Sequence, residues 1–459
     1  MRTDIKLPDG PTIPEFGLLL TQILPFNTRP NTFTFTQNVH QQYGDFACMR
    51  LGRKHLVYYL SNPAMLHEVL VEKPEKFEKG IVLNRSVGPI LGKGLLTSEG
   101  DFWRSQRKLA QPAFHMRRIE GYGAVMVEEA QKMLARWQPG QALDIQHEMM
   151  KLTLNIVART LFGADVSGVT GRVGQLVTIL LEGANRRLTL RDTLHDWLQF
   201  RRRREERQAL AELRALIDGL IEKRRAEKAD QGDLLSMLLQ ATDEETGRGM
   251  TNEQLRDEVM TIFLAGHETT AVALSWAFYL LSQNPEAAAK LYAEQDSVLG
   301  GAAPTLADLA RLPYNEMVIK ETLRLYPPAS GMGRDAIDDV TIGGWTIPKG
   351  AILSLDIYTM HHDPANFPNP EAFDPERFSK AREGDIPKYA YVPFGGGPRI
   401  CIGNSFAMME ARILLAVISQ HYALALAPNA NVQAEMLFTL RPKHGIPMVA
   451  KQREAVTAY

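Results

Sequence analysis

The run from Thr251 to Gln283 constrains this chain more than any other stretch. Thr251 and Gln254 have the spacing of a capping box, apolar residues follow at helical spacing, and Asn284-Pro285 stops the pattern. At 1.5 Å per residue such a helix reaches roughly 45 to 50 Å, so the rest of the chain has to pack around it. Its centre, Ala265-Gly266-His267-Glu268-Thr269-Thr270, is poor helix material. Gly266 costs about 1 kcal/mol against alanine, and the Thr269 hydroxyl can turn onto the Ala265 carbonyl. A ladder opened there would leave a groove suited to a functional site. On these residues alone, a tolerated flaw on a solvent face fits as well.

The remainder reads as mostly helix. Apolar positions recur at helical spacing in Ile119 to Trp137, Gln146 to Phe162, Gln208 to Arg225 and Leu234 to Leu239. Phe46 to Leu51 and His55 to Leu60 alternate as a hairpin, and Val340 to Ile342 with Trp345 to Ile347 form another around Gly343-Gly344. Neither a repeat nor a low-complexity linker divides the 459 residues; the one loose segment is Asp243 to Met250. With 45% hydrophobic and 23% charged residues, the chain can bury one large core. A net charge of -1 gives no field that favours nucleic acid. In the N-terminal extension, residues 1–30, the longest apolar stretch is Phe16 to Leu20, too short for a membrane anchor.

Only two cysteines are present, which excludes a disulfide framework and a CxxC zinc pattern and fits a reduced interior. Cys48 has apolar neighbours and reads as core. Cys401 stands in Phe394-Gly395-Gly396-Gly397-Pro398-Arg399-Ile400-Cys401-Ile402-Gly403. Glycines let backbone approach a flat ligand, Arg399 brings fixed positive charge, and a helical run from Asn404 to Ile418 can turn its first N–H groups toward the sulfur. A small buried hydrophobe is the commoner fate of a free cysteine. Against that stands the spacing, since Phe, Gly, Arg, Cys and Gly at these offsets arise by chance with a probability on the order of 10⁻⁴. Phe-x-x-Gly-x-Arg-x-Cys-x-Gly is the haem-binding signature of the cytochrome P-450 family, which the chain resembles from about Asp45 to Met448.

The resemblance implies a mainly α fold with a minor β region, a single domain over residues 1–459. Haem b, iron protoporphyrin IX, would lie between the long distal helix and the proximal loop. Cys401 would be the metal ligand, with Phe394 and Gly403 moderating its charge. Ala265-Gly266-x-Glu268-Thr269 matches the family's acid-alcohol stretch, making Thr269 the proton-relay alcohol and Glu268 the acid of the catalytic pair. His267 would face protein or solvent. Trp103 and Arg107, four apart on one helix face, and Arg334 and Arg399 match positions that hold the haem propionates. Trp103 has an alternative reading as a half-buried core aromatic, second to the propionate role. Glu321 and Arg324, with Arg377 in Pro375-Glu376-Arg377-Phe378, resemble a buried structural triad; ExxR by itself is a common surface pair.

The implied reaction inserts one atom of O2 into an apolar substrate. Electrons would come from NAD(P)H through a separate ferredoxin- or flavodoxin-type donor and its reductase, in the cytoplasm. Arg104 and Lys108 could steer such an acidic carrier. Family position puts the pocket wall at Phe77, Leu96, Phe263, Ala265, Ala329 and Phe438, with the region from Val177 to Leu190. Apolar walls suit fatty acids, terpenoids, carotenoids or steroids. A peroxide-driven peroxygenase or isomerase on the same fold, and a haem-based sensor, are the competing readings. Arg201 to Arg204, followed by Glu205 and Glu206, read as a solvated helix face, and His361-His362-Asp363 as a loop rather than a metal cluster.

Overall fold

The computed structural model describes residues 6–10, 12–13, 32–51, 55–115, 120–163, 170–187, 200–227, 232–242, 247 and 249–453. Phe16 to Leu20, most of the loop from Asp243 and the end of the Val177 to Leu190 region lie outside them.

The smaller body is a sheet of strands β1 (Thr12–Ile13), β2 (Phe46–Leu51), β3 (His55–Leu60), β4 (Phe77–Lys79), β5 (Met332–Ala336) and β6 (Ile352–Leu355). Their order is β1-β2-β3-β6-β5-β4. The β2–β3 hairpin predicted from alternation forms in the register Phe46↔Leu60 and Cys48↔Tyr58. Its inward residues, including Cys48, Tyr58 and Leu60, make the sheet's own core, and the second predicted hairpin, Val340–Ile342 with Trp345–Ile347, pairs beside it. Burial pushes the Cys48 thiol up to about 11, as expected of an inert core cysteine. At the far edge, β4 runs antiparallel to β5 and sets Lys79 opposite Arg334.

The larger body is helical. Five helices matter for the site: α1 (Gly100–Ala110), α2 (Ile145–Phe162), α3 (Asn252–Gln283), α4 (Pro313–Leu325) and α5 (Asn404–His421). The capping box at the start of α3 is complete, with Gln254 N–H donating to Thr251 Oγ1 at 3.2 Å and Thr251 N–H to Gln254 Oε1 at 2.7 Å. The second half of α3 is buried against α2, α4 and α5 in the main core. Its first half packs in a separate apolar cluster with Leu176 to Ala184 and Ala209 to Ile221.

The helical ladder of α3 does not open at its centre: the helix runs unbroken through Gly266. Neighbouring α2 supplies the reason. A Cβ on Gly266 would stand 3.3 Å from Val157 Cγ2, so the glycine serves close helix packing, and Thr153 Oγ1 of α2 donates to the His267 carbonyl at 2.8 Å. Thr269 does turn its hydroxyl onto the Ala265 carbonyl, at 2.8 Å.

His361 and His362 lie in or beside a short helix, Ile357–His361, and not in a loop, because Asp356 caps its start by accepting from Thr359 N–H. Arg201 to Arg204 are exposed on the helix Phe200–Glu227, whose Glu206 reaches instead to Arg187 at 2.6 Å. Among the described residues, no helix is long and apolar enough to cross a membrane.

Candidate active site

Cys401 sits where a glycine-bent loop meets the start of α5, and its N–H donates to the Phe394 carbonyl at 3.0 Å. Gly397, at φ +65°, lies so tightly against the chain that a Cβ there would stand 1.8 Å from the Leu70 carbonyl oxygen. Only glycine permits that approach. The Cys401 side chain is accessible, yet the residue is set deep in the protein, so it opens onto an internal space. Burial pushes its thiol up, while the Gly403 N–H and the Arg107 guanidinium pull it down. Arg107, on α1, donates to the Ile400 carbonyl at 2.9 Å and thereby holds the residue next to the sulfur.

A chain of buried polar contacts supports this loop from behind. Glu321 and Arg324 of α4 are 0% exposed and pair through two 2.8 Å contacts, with Arg377 Nε 3.3 Å from the same carboxylate. The other guanidinium donors go to carbonyls: Arg324 to His361 and Ala372, Arg377 to Pro368 and Asn369. Asp374 N–H also donates to Glu321. His361 passes the constraint on, since its Nε2 accepts from Val392 N–H at 3.2 Å, two residues before Phe394. Burial holds His361 well below the usual histidine range, as an acceptor in that bond requires.

On the other side, Ala265 is exposed and Thr269 half-buried on a helix whose neighbouring residues are buried, so both also open inward. Glu268 turns away from them. The residue is 6% exposed, its carboxylate accepts from Thr439 Oγ1 at 2.9 Å, and burial raises its pKa against that bond and the more distant Arg441. His267 faces protein, as the sequence suggests: it is buried, stacked near Phe263 and pushed down to about 4 by burial.

The four residues matched to propionates divide by place. Arg107 belongs with the cysteine. Trp103 is buried, with Arg399 over its ring at 5.3 Å from the centroid. Arg334 is buried, its guanidinium donates to the Gly333 carbonyl at 2.8 Å, and burial lowers it to about 10 with the like charge of Arg399 adding to the effect. Arg399 pairs with Glu99 at 2.5 Å, leaving its buried Nη1 without a partner among the described residues.

The pocket assignments fare unevenly. Leu96 and Phe438 are half-buried beside the apolar cluster that contains Phe263, and Ala329 is exposed between buried neighbours. Phe77 is a correction: its position in β4 turns it inward, where it is 1% exposed in the sheet's core.

Sequence reasoning missed four ionisable groups. Asp257 and Glu258 of α3 hold the loop 92–98: Asp257 accepts from Lys93 N–H at 2.8 Å and Glu258 from Leu95 N–H at 3.0 Å. The fit is close, since a Cβ on Gly92 or Gly94 would collide with Asp257 or Thr261. Lys79 grips the same loop from the opposite side, donating to the Leu95 and Ser98 carbonyls at 2.7 and 2.8 Å. Glu410 of α5 is wholly buried. Burial pushes it up to about 8, and the Thr270 hydroxyl of α3 offsets only part of that. No local pattern marks these four, because their burial is created by distant segments.

The arrangement suits a flat, acidic porphyrin. A deep thiol faces inward, the small Ala265 leaves the opposite helix open, and among the described residues a buried guanidinium nitrogen of Arg399 lacks a partner. Comparisons with known proteins agree. The family model for Cytochrome P450 matches residues 8–448. The chain is similar to cyclooctatin synthase of Streptomyces melanosporofaciens, 39% identical over 88% of this chain and 89% of the relative. It is also similar to cyclooctat-9-en-7-ol 5-monooxygenase of the same organism, 35% identical over 92% and 91%. Among solved structures, the crystal structure of the cytochrome P450DA heme domain superposes with a TM-score of 0.87 at 28% identity, covering 99% of this chain and 100% of that one. The chain therefore belongs to the cytochrome P450 family, as a haem b oxidoreductase of the monooxygenase type.

Proposed function

We propose that this protein hydroxylates a cyclic, largely apolar substrate of the terpenoid kind: R–H + O2 + 2 e⁻ + 2 H⁺ → R–OH + H2O. The observation that carries the substrate class is the likeness, over 92% of the chain, to a relative named for oxidising an unsaturated cyclic alcohol. Apolar walls at Leu96, Phe263, Ala265, Ala329 and Phe438 suit such a skeleton.

When bound, the haem supplies the iron at which dioxygen is reduced. Cys401 would hold that iron, and Arg334, Arg399 and Trp103 the propionates. The Glu321–Arg324–Arg377 group keeps the cysteine loop in place through His361. Thr269 gives its hydroxyl proton to the Ala265 carbonyl, which leaves its oxygen free to accept from a water or a substrate group in the internal space. Glu268, raised by burial, holds its proton to higher pH than an ordinary carboxyl, but delivers it only after exchanging Thr439 for a partner on the Thr269 side. Electrons would come from a ferredoxin- or flavodoxin-type donor with its reductase, docked at the face of α1 that carries Arg104 and Lys108.

A panel of terpenoids, fatty acids and steroids, titrated while the haem spectrum is watched and followed by product analysis, tests the reading. Spectral shifts and hydroxylation are expected for cyclic terpenoids. Response to fatty acids alone would overturn the substrate class, and turnover with peroxide but none with NAD(P)H, donor proteins and O2 would overturn the electron supply.

A further inference from the structure

The loop 92–98 lies between the two bodies of the molecule, and one residue in it is held from both. Glu258 of α3 accepts from the Leu95 N–H at 3.0 Å, and Lys79 of β4 donates to the Leu95 carbonyl at 2.7 Å. The peptides on either side of Leu95 are therefore fixed, one from the helical body and one from the sheet. Within the loop, the Gly94 carbonyl accepts from the Thr97 and Ser98 N–H groups at 3.0 and 2.9 Å, so the segment closes on itself. Leu96 follows directly, half-buried against the cluster that contains Phe263. Glu258 is out of place on packing grounds. It is 0% exposed, its Oε1 meets no partner among the described residues, and Leu255 and Ile262, one turn to either side, pack in the apolar cluster. A carboxylate taken from water needs compensation, and an apolar side chain would fill the position at less cost. Burial raises Glu258 to about 7, and the Leu95 N–H and Lys79 are what pull against that.

We infer that Glu258 is a positioning residue for specificity: by fixing the Leu95 peptide it sets where Leu96 stands, and with it the width of the internal space. Asp257 supports the same arrangement through the Lys93 N–H at 2.8 Å. The inference rests on Leu96 lining the pocket, as proposed above. With the grip released, the wall at Leu96 gives way, and a broad ligand gains over a slender one.

Two probes of different breadth, phenylimidazole and dodecylimidazole, test this when each is titrated into the purified ferric holoenzyme at pH 8 and followed by haem absorbance. The ratio of their dissociation constants is the readout, because a general loss of stability weakens both alike. E258L, which removes the acceptor, should move that ratio about tenfold in favour of phenylimidazole, and E258Q, which keeps a weaker acceptor, about threefold. Amide hydrogen exchange of the segment 92–98 should quicken in the same order. L96A, which opens the wall directly, should move the ratio in the same direction. If E258L cannot be isolated with haem, E258Q decides alone. A shift in L96A with none in the Glu258 variants overturns the inference and leaves the pocket reading standing. No shift in L96A overturns the placement of Leu96 itself, and the inference with it.

Discussion

Glu410 is a carboxyl whose folded pKa, about 8, lies above its unfolded value near 4.5. The sign is the opposite of that for a salt-bridged acid: its contribution to stability is complete below pH 4.5 and is lost as pH rises through 8. E410Q keeps the shape and removes the titration. Its stability relative to wild type should therefore grow between pH 5 and 9, by on the order of a few kcal/mol, in denaturant unfolding of the holoenzyme. Glu268 is raised in the same direction. In E268Q, product formation should fall roughly 10- to 100-fold and its alkaline decline should flatten. T269A should keep consuming NAD(P)H while forming less product per electron; equal coupling in T269A and wild type would remove Thr269 from proton delivery.

At the scale of elements, α4 holds its place through charge. Glu321 answers Arg324, Arg377 and the Asp374 N–H together, so E321A would strand two guanidinium groups and should cost about 3 to 5 kcal/mol, measured as loss of haem-loaded protein on expression. Much at this scale was legible from sequence. A capping box and a proline stop gave the ends of α3, and strand alternation gave both hairpins, because those signals are local. What was not legible depends on segments far apart. Glu268 meets Thr439, 171 residues away, and Glu258 meets Leu95, 163 away. Gly266 looked like a weakness in its own helix, and only α2 beside it shows a packing contact. Phe77 was given to the pocket by family position, whereas the pleat of β4 turns it into the sheet's core.

The molecule as a whole should respond to acid through its buried histidines. His267 and His362 are lowered to about 4 and His361 further, all by burial. Their folded values lie below the unfolded one near 6.5. Stability is thus fully present above pH 6.5 and declines toward pH 4, by up to about 1.4 kcal/mol per pH unit for each histidine. Denaturant midpoints across that range check this. His361 joins the Glu321 group to Val392, so loss of the haem spectrum should accompany the decline.

The grip of Asp257 and Glu258 on the loop 92–98 has an engineering meaning. Both carboxyls lie one to two helical turns before Phe263 on α3, outside the apolar wall, yet they set the position of the peptide before Leu96. Substrate preference could then be retuned by remote changes, such as E258Q, that leave every residue lining the pocket as it is. A laboratory evolution campaign confined to the pocket wall would never sample them.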